Sequence, residues 1–429
     1  MDPIKKSALR IIKTLTQHDF KAYYAGGSVR DMILKQPFKD IDIATSAKPH
    51  EVMKLFKRTI PVGLQFGVVV VLMDNIPFEV TTFRKDGTYQ DGRHPENVLF
   101  TNEKEDVMRR DFTINGILYD PMNDEIIDYV DGQKDIQDKV IRAIGDPIQR
   151  FEEDKLRMLR AIRFSARLSY TIEPGTWKAI QTYYTNINEV SVERIRDELA
   201  KILTEGQASV GIRLLYQSGL LDMILPEVSQ LKNIERVDGS PGDGSLGKVD
   251  MFCHTLLLLD HMTKPSKELA LAVLLKHVDW NLARSICGRL KLSNKEKSHV
   301  LSLVQQQSIF NTLPQMRESE LKRFLRQEHF KDHLEYHRLE ALASHGKLDI
   351  YDFCVHKLAE YRSKHGNLLH PKKILNGNML IKLGFKAGSS FKSMLVEVEN
   401  LQLEGVLSTE EEAIEYVKTH FAHLLNDNP

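Results

Sequence analysis

The stretch AYYAGGSVRDMILKQPFKDIDIAT, Ala22 to Thr45, decides how the first third of the chain is read. AYYA is short, rich in aromatics and closed by two glycines, which predicts a strand running into a tight turn. SVRDMILK opens a helical pattern, and IDIAT predicts a second short strand. Gly26 and Gly27 would let backbone N–H groups approach a phosphate closely, and the helix N-terminus after them adds favourable partial charge. Arg30 would give a triphosphate a fixed positive partner. Asp40 and Asp42 stand at i and i+2 of the predicted strand, so both carboxylates would face one side. Such a pair suits hard divalent cations, and Mg²⁺ takes carboxylate and phosphate oxygens together. Each feature also has a plain reading: a glycine pair is often only a turn, and two aspartates on an edge strand can simply be solvated.

On either side of this stretch the period of the apolar residues changes. Ile4, Leu9, Ile11, Ile12 and Leu15 predict an amphipathic first helix, and PHEVMKLFK (49–57) another. The runs VVVVLM (68–73) and FEVTTF (78–83) are β-branched and aromatic, hence strands. From about residue 146 the pattern turns helical, with apolar residues three and four apart in RFEEDKLRMLRAIRFSARL and VERIRDELAKILTEG. The expected fold is therefore α+β, a short mixed sheet with helices followed by an all-helical remainder. The glycine-rich stretch RVDGSPGDGSLGKVD (236–250) is the best candidate for a boundary or mobile linker. Later helices break near HGNLLHPKK and FKAGSS, and no internal repeat stands out.

The bulk numbers exclude more than they assign. Lys plus Arg and Asp plus Glu are 59 each, so any basic surface must be local. Cys253, Cys287 and Cys354 show neither metal-ligand nor redox spacing, which points to a reducing compartment. The first residues lack the apolar run of a secretory leader, and no stretch approaches the roughly 20 apolar residues of a membrane span. A cytoplasmic protein is expected.

The order glycine pair, Arg30, then Asp40-Ile41-Asp42 resembles the nucleotidyltransferase superfamily built on the polymerase-β-like head. RRDFTINGILYDP, Arg109 to Pro121, is similar to the RRDFTxNA motif of the bacterial class II tRNA nucleotidyltransferases and poly(A) polymerases, with Gly116 for the usual alanine. DYVDGQKDI resembles that family's DxxxGxxDL element through Asp128, Gly132 and Asp135, with Ile136 for leucine; structure rather than chemistry is expected of it. RFEEDKLRMLRAIRF resembles the EDxxRxxR nucleotide-reading helix through Glu153, Asp154, Arg157 and Arg160.

A physical case stands beside the last resemblance. At about 100° per residue, Arg157, Arg160, Arg163 and Arg167 fall within an arc of about 120°, one basic stripe that on a generic helix would merely be solvated. Asp154 and Arg157, three apart, can meet one ligand. Cytosine and adenine each pair an exocyclic amino donor with a ring-nitrogen acceptor, which one carboxylate and one guanidinium satisfy. Uracil and guanine reverse that pattern, and each unpaired polar group costs roughly 1–3 kcal/mol. The protein itself would then act as template.

The resemblance, continuous from about Ala22 to Leu168, implies addition of C and A from CTP and ATP to the tRNA 3′ end. It implies Asp40 and Asp42 as catalytic metal ligands for Mg²⁺. Gly27, Arg30, Arg110, Arg160 and Arg163 would surround the triphosphate and sugar, Asp154 with Arg157 would read the base, and Asp111 and Asn115 would support them. Glu79 would orient a metal or the 3′-hydroxyl. Residues 85–98 resemble the loop needed for terminal A addition, which argues against a CC-only enzyme. The implied division is a catalytic head (1–145), a neck carrying the reading helix (146–205), a body (206–335) and an RNA-binding tail (336–429).

MFCHTLLLLDHM and LALAVLLKHVDW resemble an HD phosphohydrolase domain, but Lys276-His277 stands where an adjacent His-Asp belongs, so hydrolase activity is not expected and His254 and His277 read as ordinary helix residues. In the tail, Gly384 to Gly388 with Lys386 reads as a phosphate contact or a plain helix-turn-helix. An A-adding enzyme or poly(A) polymerase, and a non-catalytic RNA-binding protein, are the alternatives; the last would need a lost carboxylate or arginine, and none is lost.

Overall fold

The computed structural model describes residues 3–37, 40–86, 98–238, 247–363 and 369–425. Most of the loop expected at 85–98, and the middle of the glycine-rich stretch, lie outside them. The chain forms two compact units, one built of 1–235, 250–260 and 285–291, the other of 236–249, 261–284 and 292–429.

The first unit opens with helix α1 (Pro3–Thr16), which buries Ala8, Ile11, Ile12 and Leu15, the face predicted from spacing. Then come β1 (Ala22–Ala25), α2 (Gly27–Ile33), β2 (Asp42–Thr45), α3 (Pro49–Leu55), β3 (Thr59–Gly63), β4 (Val68–Met73) and β5 (Ile76–Thr82). After a short pair, β6 (Arg84–Asp86) with β7 (Val98–Phe100), follow α4 (Glu103–Met108), β8 (Ile117–Asp120) and β9 (Glu125–Asp128). Seven strands make one sheet in the order β3-β4-β5-β2-β1-β8-β9. Only β2 and β5 run parallel; the other neighbours are antiparallel. Val69, Val71, Phe78 and Val80 fill one side of β4 and β5, the outcome of a period-two pattern half buried.

Asp128 accepts the backbone N–H groups of Val130, Gly132 and Gln133 at 3.1, 3.0 and 2.8 Å, which fixes the turn into α5 (Gly132–Asp138). A Cβ on Gly132 would lie 2.3 Å from the Thr113 carbonyl oxygen, so only glycine lets this turn pack on the RRD segment. Next are α6 (Pro147–Glu153) and α7 (Leu156–Leu168), then α8 (Pro174–Tyr183) and α9 (Val192–Thr204). The expected single reading helix is thus two. The chain turns extended at Asp154 (φ −144°, ψ 103°), and the Asp154 carboxylate accepts the Leu156 N–H at 3.1 Å, a local bond that competes with helix continuation.

The second unit is helical apart from residues of the paired strands Glu235–Asp238 and Gly247–Asp250. Phe310, Leu313, Leu321, Phe330, Cys354 and Tyr361 make one core, and Leu375, Leu380, Phe385, Met394, Val398 and Val417 another. The 384–388 segment joins helices Gly377–Lys382 and Ser389–Glu404. His254 is buried in helix Met251–Asp260, as expected, but His277 lies in the turn after helix Lys267–Leu274 rather than within a helix. Among the described residues no helix is long and apolar enough to cross a membrane.

Candidate active site

Strand pairing builds the floor of the site. Ile43 of β2 faces Val80 of β5, so Asp42 sits beside Glu79. Ile41 and Ile43 are buried while Asp40 and Asp42 are exposed, the alternation that the spacing requires, although Asp40 precedes the strand instead of lying in it. The Asp42 carboxyl, reached by solvent but surrounded by the walls of a cleft, is pushed up to about 6. Burial contributes most, followed by the charges of Glu79 and Asp40, and Arg110 opposes them.

Arginines make the facing wall. A cavity of about 530 Å³ brings the floor residues Asp42 and Glu79 together with Arg110, Asp154, Arg157 and Arg160. Buried Asp106 accepts Arg109 at 2.7 Å and Arg110 at 2.9 Å, which aims Arg110 across the cleft. Among the described residues no acceptor meets the buried Nε of Arg110. Gly26, at φ +72°, separates wall from floor: a Cβ there would lie 3.5 Å from both Arg110 Nη1 and Asp42 Oδ2. Gly26, rather than Gly27, is therefore the position whose backbone demands glycine. Its place beside Gly27 in the turn was the signal for it.

Several predicted residues are engaged by protein groups. Arg30 donates to Asp31 Oδ1 at 2.9 and 2.7 Å and to Asn115 Oδ1 at 2.7 Å, and is only 2% exposed. It braces the RRD segment, and would have to exchange partners to reach a triphosphate. Asp111 holds Arg160 through two bonds of 2.8 and 2.5 Å and accepts the Phe112 N–H at 2.8 Å. Burial pushes the Asp111 carboxyl up, yet Arg160 and Arg157 outweigh it and hold it at about 2. Arg163 pairs with Glu198 of α9 at 2.5 Å and Glu205 at 3.3 Å. Phe164 lies under three guanidiniums, with Arg163 4.2 Å, Arg160 5.4 Å and Arg30 5.5 Å from its ring centre.

The base-reading candidates are likewise pre-positioned. Arg157 donates to Glu153 at 2.8 Å and to the carbonyls of Arg150 and Arg109 at 3.1 and 3.0 Å. Asp154 Oδ2 accepts Arg194 of α9 at 2.8 Å. Arg194, Asp106 and Phe164 escaped the sequence reading; Arg194 and Glu198 stand four apart in VERIRDELAKIL, a spacing that puts both on one helix face.

Fold and site together define a nucleotidyltransferase. Residues 22–142 match the family model for the Poly A polymerase head domain, and 169–231 match that for a probable RNA and SrmB-binding site of polymerase A. The structure is similar to that of the Bacillus stearothermophilus CCA-adding enzyme in complex with CTP, at a TM-score of 0.77 and 28% identity over 99% of this chain and 100% of that one. A CCA-adding enzyme of Lactobacillus gasseri is 32% identical over 430 residues, 98% of this chain and 97% of the relative. One of Enterococcus faecalis is 48% identical over 199 residues, so that match spans about half the length of the relative (49%). The chain belongs to the CCA-adding enzyme family.

Proposed function

We propose that this protein extends the 3′ end of tRNA with C and A, taking CTP and ATP as substrates. The observation that carries this reading is the gap at Gly26, where crowded carboxylates on one side face the Arg110 guanidinium on the other. A nucleoside triphosphate with a cation satisfies both sides at once. The RNA 3′-hydroxyl attacks the α-phosphate, and pyrophosphate leaves.

Asp40 and Asp42 fit Mg²⁺. Among the described residues no three His, Cys, Asp or Glu side chains are grouped to hold a metal, so the fit rests on two hard carboxylates completed by substrate phosphate oxygens, a usual arrangement for this ion. When bound, the ion would lower the pKa of the hydroxyl and neutralise charge on the reacting phosphate. Arg110, aimed by Asp106, and Arg160, held by Asp111, offset negative charge on the triphosphate and do not need to move. Asp154 accepts the exocyclic amino group of cytosine or adenine, and Arg157 donates to the ring nitrogen. Arg30 and Arg163 act through the groups they hold. Head, neck, body and tail, divided near 145, 205 and 335, belong to the same reading, with RNA on the helical part.

Supplying tRNAs that end at the discriminator base, at C and at CC, each with CTP or ATP alone, tests the proposal. The expected result is C addition to the first two and A addition only to the third. Extension of all three by ATP alone would favour a poly(A) polymerase, and of the third alone, with no use of CTP, an A-adding enzyme.

A further inference from the structure

Near the end of the short helix α4, Asp106 is only 1% exposed and serves three parts of the chain at once. Its Oδ2 accepts Arg110 Nη2 at 2.9 Å. Its Oδ1 accepts Arg109 Nε and Nη2 at 3.0 and 2.7 Å and the backbone N–H of Arg84 at 3.3 Å. Arg109 Nε also donates to the Arg84 carbonyl at 3.1 Å, so strand β6 is tied to the same node. Burial pushes the Asp106 carboxyl up, but the charges of Arg110 and Arg109 and their hydrogen bonds outweigh it and hold it below the usual carboxylate range.

The same end of α4 also holds the base-reading candidate. The last carbonyls of a helix have no partner inside it, and two guanidiniums from α6 and α7 take them here. Arg150 Nη1 donates to the Met108 carbonyl at 3.3 Å, and Arg157 Nη2 to the Arg109 carbonyl at 3.0 Å. Glu153 accepts both arginines, Arg150 at 2.6 Å and Arg157 at 2.8 Å. The Arg109 carbonyl stays in place only while residue 109 does, and the Arg109 side chain is folded back three residues onto Asp106. One buried carboxylate therefore fixes Arg110 directly and Arg157 through residue 109. In a network of this kind, contacts that share a member depend on one another.

We propose that, given the roles assigned above to Arg110 and Arg157, Asp106 is a positioning residue for base choice, which keeps the phosphate-binding and base-reading guanidiniums at one spacing. An ordinary structural ion pair would cost stability when broken and leave the choice of base alone.

Single-nucleotide incorporation of the four triphosphates on tRNA ending at C and at CC, with KM for CTP and ATP, tests this on the full chain. Arg110→Gln should raise KM about tenfold, as loss of a charge-assisted contact implies, with base choice unchanged. Arg109→Gln keeps the Asp106–Arg110 pair but frees residue 109. It should lower the preference for CTP and ATP over UTP and GTP about tenfold, and Arg109→Lys, which returns a charge to Asp106, should recover part of that loss. Asp106→Asn should show both effects together. Breaking a buried pair can unfold a chain, and if Asp106→Asn does not fold, the two Arg109 variants decide, since that side chain is 19% exposed. Unchanged base ratios in Arg109→Gln, or a loss confined to the unfolding midpoint, would overturn the proposal. Arg157→Ala tells the possible failures apart. If it abolishes base choice and Arg109→Gln does not, Asp106 has no such role and the reading of the site stands. If wild type shows no preference, or Arg157→Ala leaves the preference intact, the reading of the site fails and the role of Asp106 fails with it.

Discussion

The floor and the wall of the head cleft treat charge in opposite ways. On the floor, Asp40, Asp42 and Glu79 crowd one another, and the Asp42 carboxyl rises to about 6. On the wall, each arginine has its carboxylate: Arg110 has Asp106, Arg160 has Asp111, Arg163 has Glu198, and the Asp111 carboxyl falls to about 2. The floor leaves like charges facing one another, offset in part by Arg110. The wall is complete beforehand and contributes rigid geometry. Mutations should therefore divide cleanly: floor changes cost activity and spare stability, wall changes cost stability first.

The largest effect belongs to the floor. Asp42→Ala should lower nucleotide incorporation by at least about a thousandfold, roughly 4 kcal/mol of transition-state stabilisation. Because it also removes like-charge crowding, the unfolding midpoint should stay level or rise. Incorporation above a few per cent of wild type with Mg²⁺ present would end the metal assignment, and a large fall in the midpoint would end the contrast with the wall.

Asp111→Ala attacks the wall. It leaves Arg160 without its carboxylate, at a cost of about 3 kcal/mol, the lower end of the range for a broken buried pair because Arg160 keeps 33% of its side chain exposed. Urea unfolding should show this loss even without substrate. If stability holds and only activity falls, the wall is not the prepaid structure described above.

A milder test of the same pair uses pH. The Asp111 carboxyl titrates lower in the folded chain, about 2, than its ordinary value of 3.8. Its contribution is therefore complete above about pH 5 and is lost as pH falls from 4 towards 2, roughly 2 kcal/mol in all. The stability difference between wild type and Asp111→Asn should narrow over that interval and stay constant from pH 5 to 7. A difference that widens on acidification contradicts the sign.

Floor and wall were not equally legible in the sequence. Asp40 and Asp42 were, because a two-residue period in DIDIAT (40–45) dictates which side chains share a face. The arginine stripe was legible as a stripe, but its partners were not. Asp111 is 49 residues from Arg160, and Glu198 is 35 from Arg163, distances at which no local period carries information. The helix break at Asp154 was hidden for a related reason: EEDKLR is made largely of good helix formers, and the break depends on bonds from Leu156 nearby and Arg194 far away. His277 fell outside its helix because helix ends are the least determined part of an apolar pattern.

The smallest effect concerns Asp154, where the two regions meet. One oxygen accepts Leu156 N–H at 3.1 Å and the other Arg194 at 2.8 Å, so the carboxylate is already oriented and partly neutralised before a base arrives. An acceptor shared in this way gives less to a third donor than a free one would, since the lone pairs of a carboxylate are finite. Asp154→Ala should therefore cost near the low end of the roughly 1–3 kcal/mol that an unpaired polar group carries, about tenfold in the preference for CTP and ATP over UTP and GTP. Triphosphate affinity, which the proposed function assigns to Arg110 and Arg160, should change less than base choice. The substitution also frees Arg194, which can itself donate to a uracil or guanine carbonyl, so UTP and GTP should gain while CTP and ATP lose. Arg194→Ala separates the two contributions: with Asp154 intact but less constrained, discrimination should fall by a smaller factor than in Asp154→Ala, and UTP should not gain. Single-nucleotide incorporation ratios for the four triphosphates decide it. Unchanged ratios in both variants would make Asp154 and Arg194 an ordinary ion pair and leave base choice to Arg157 alone.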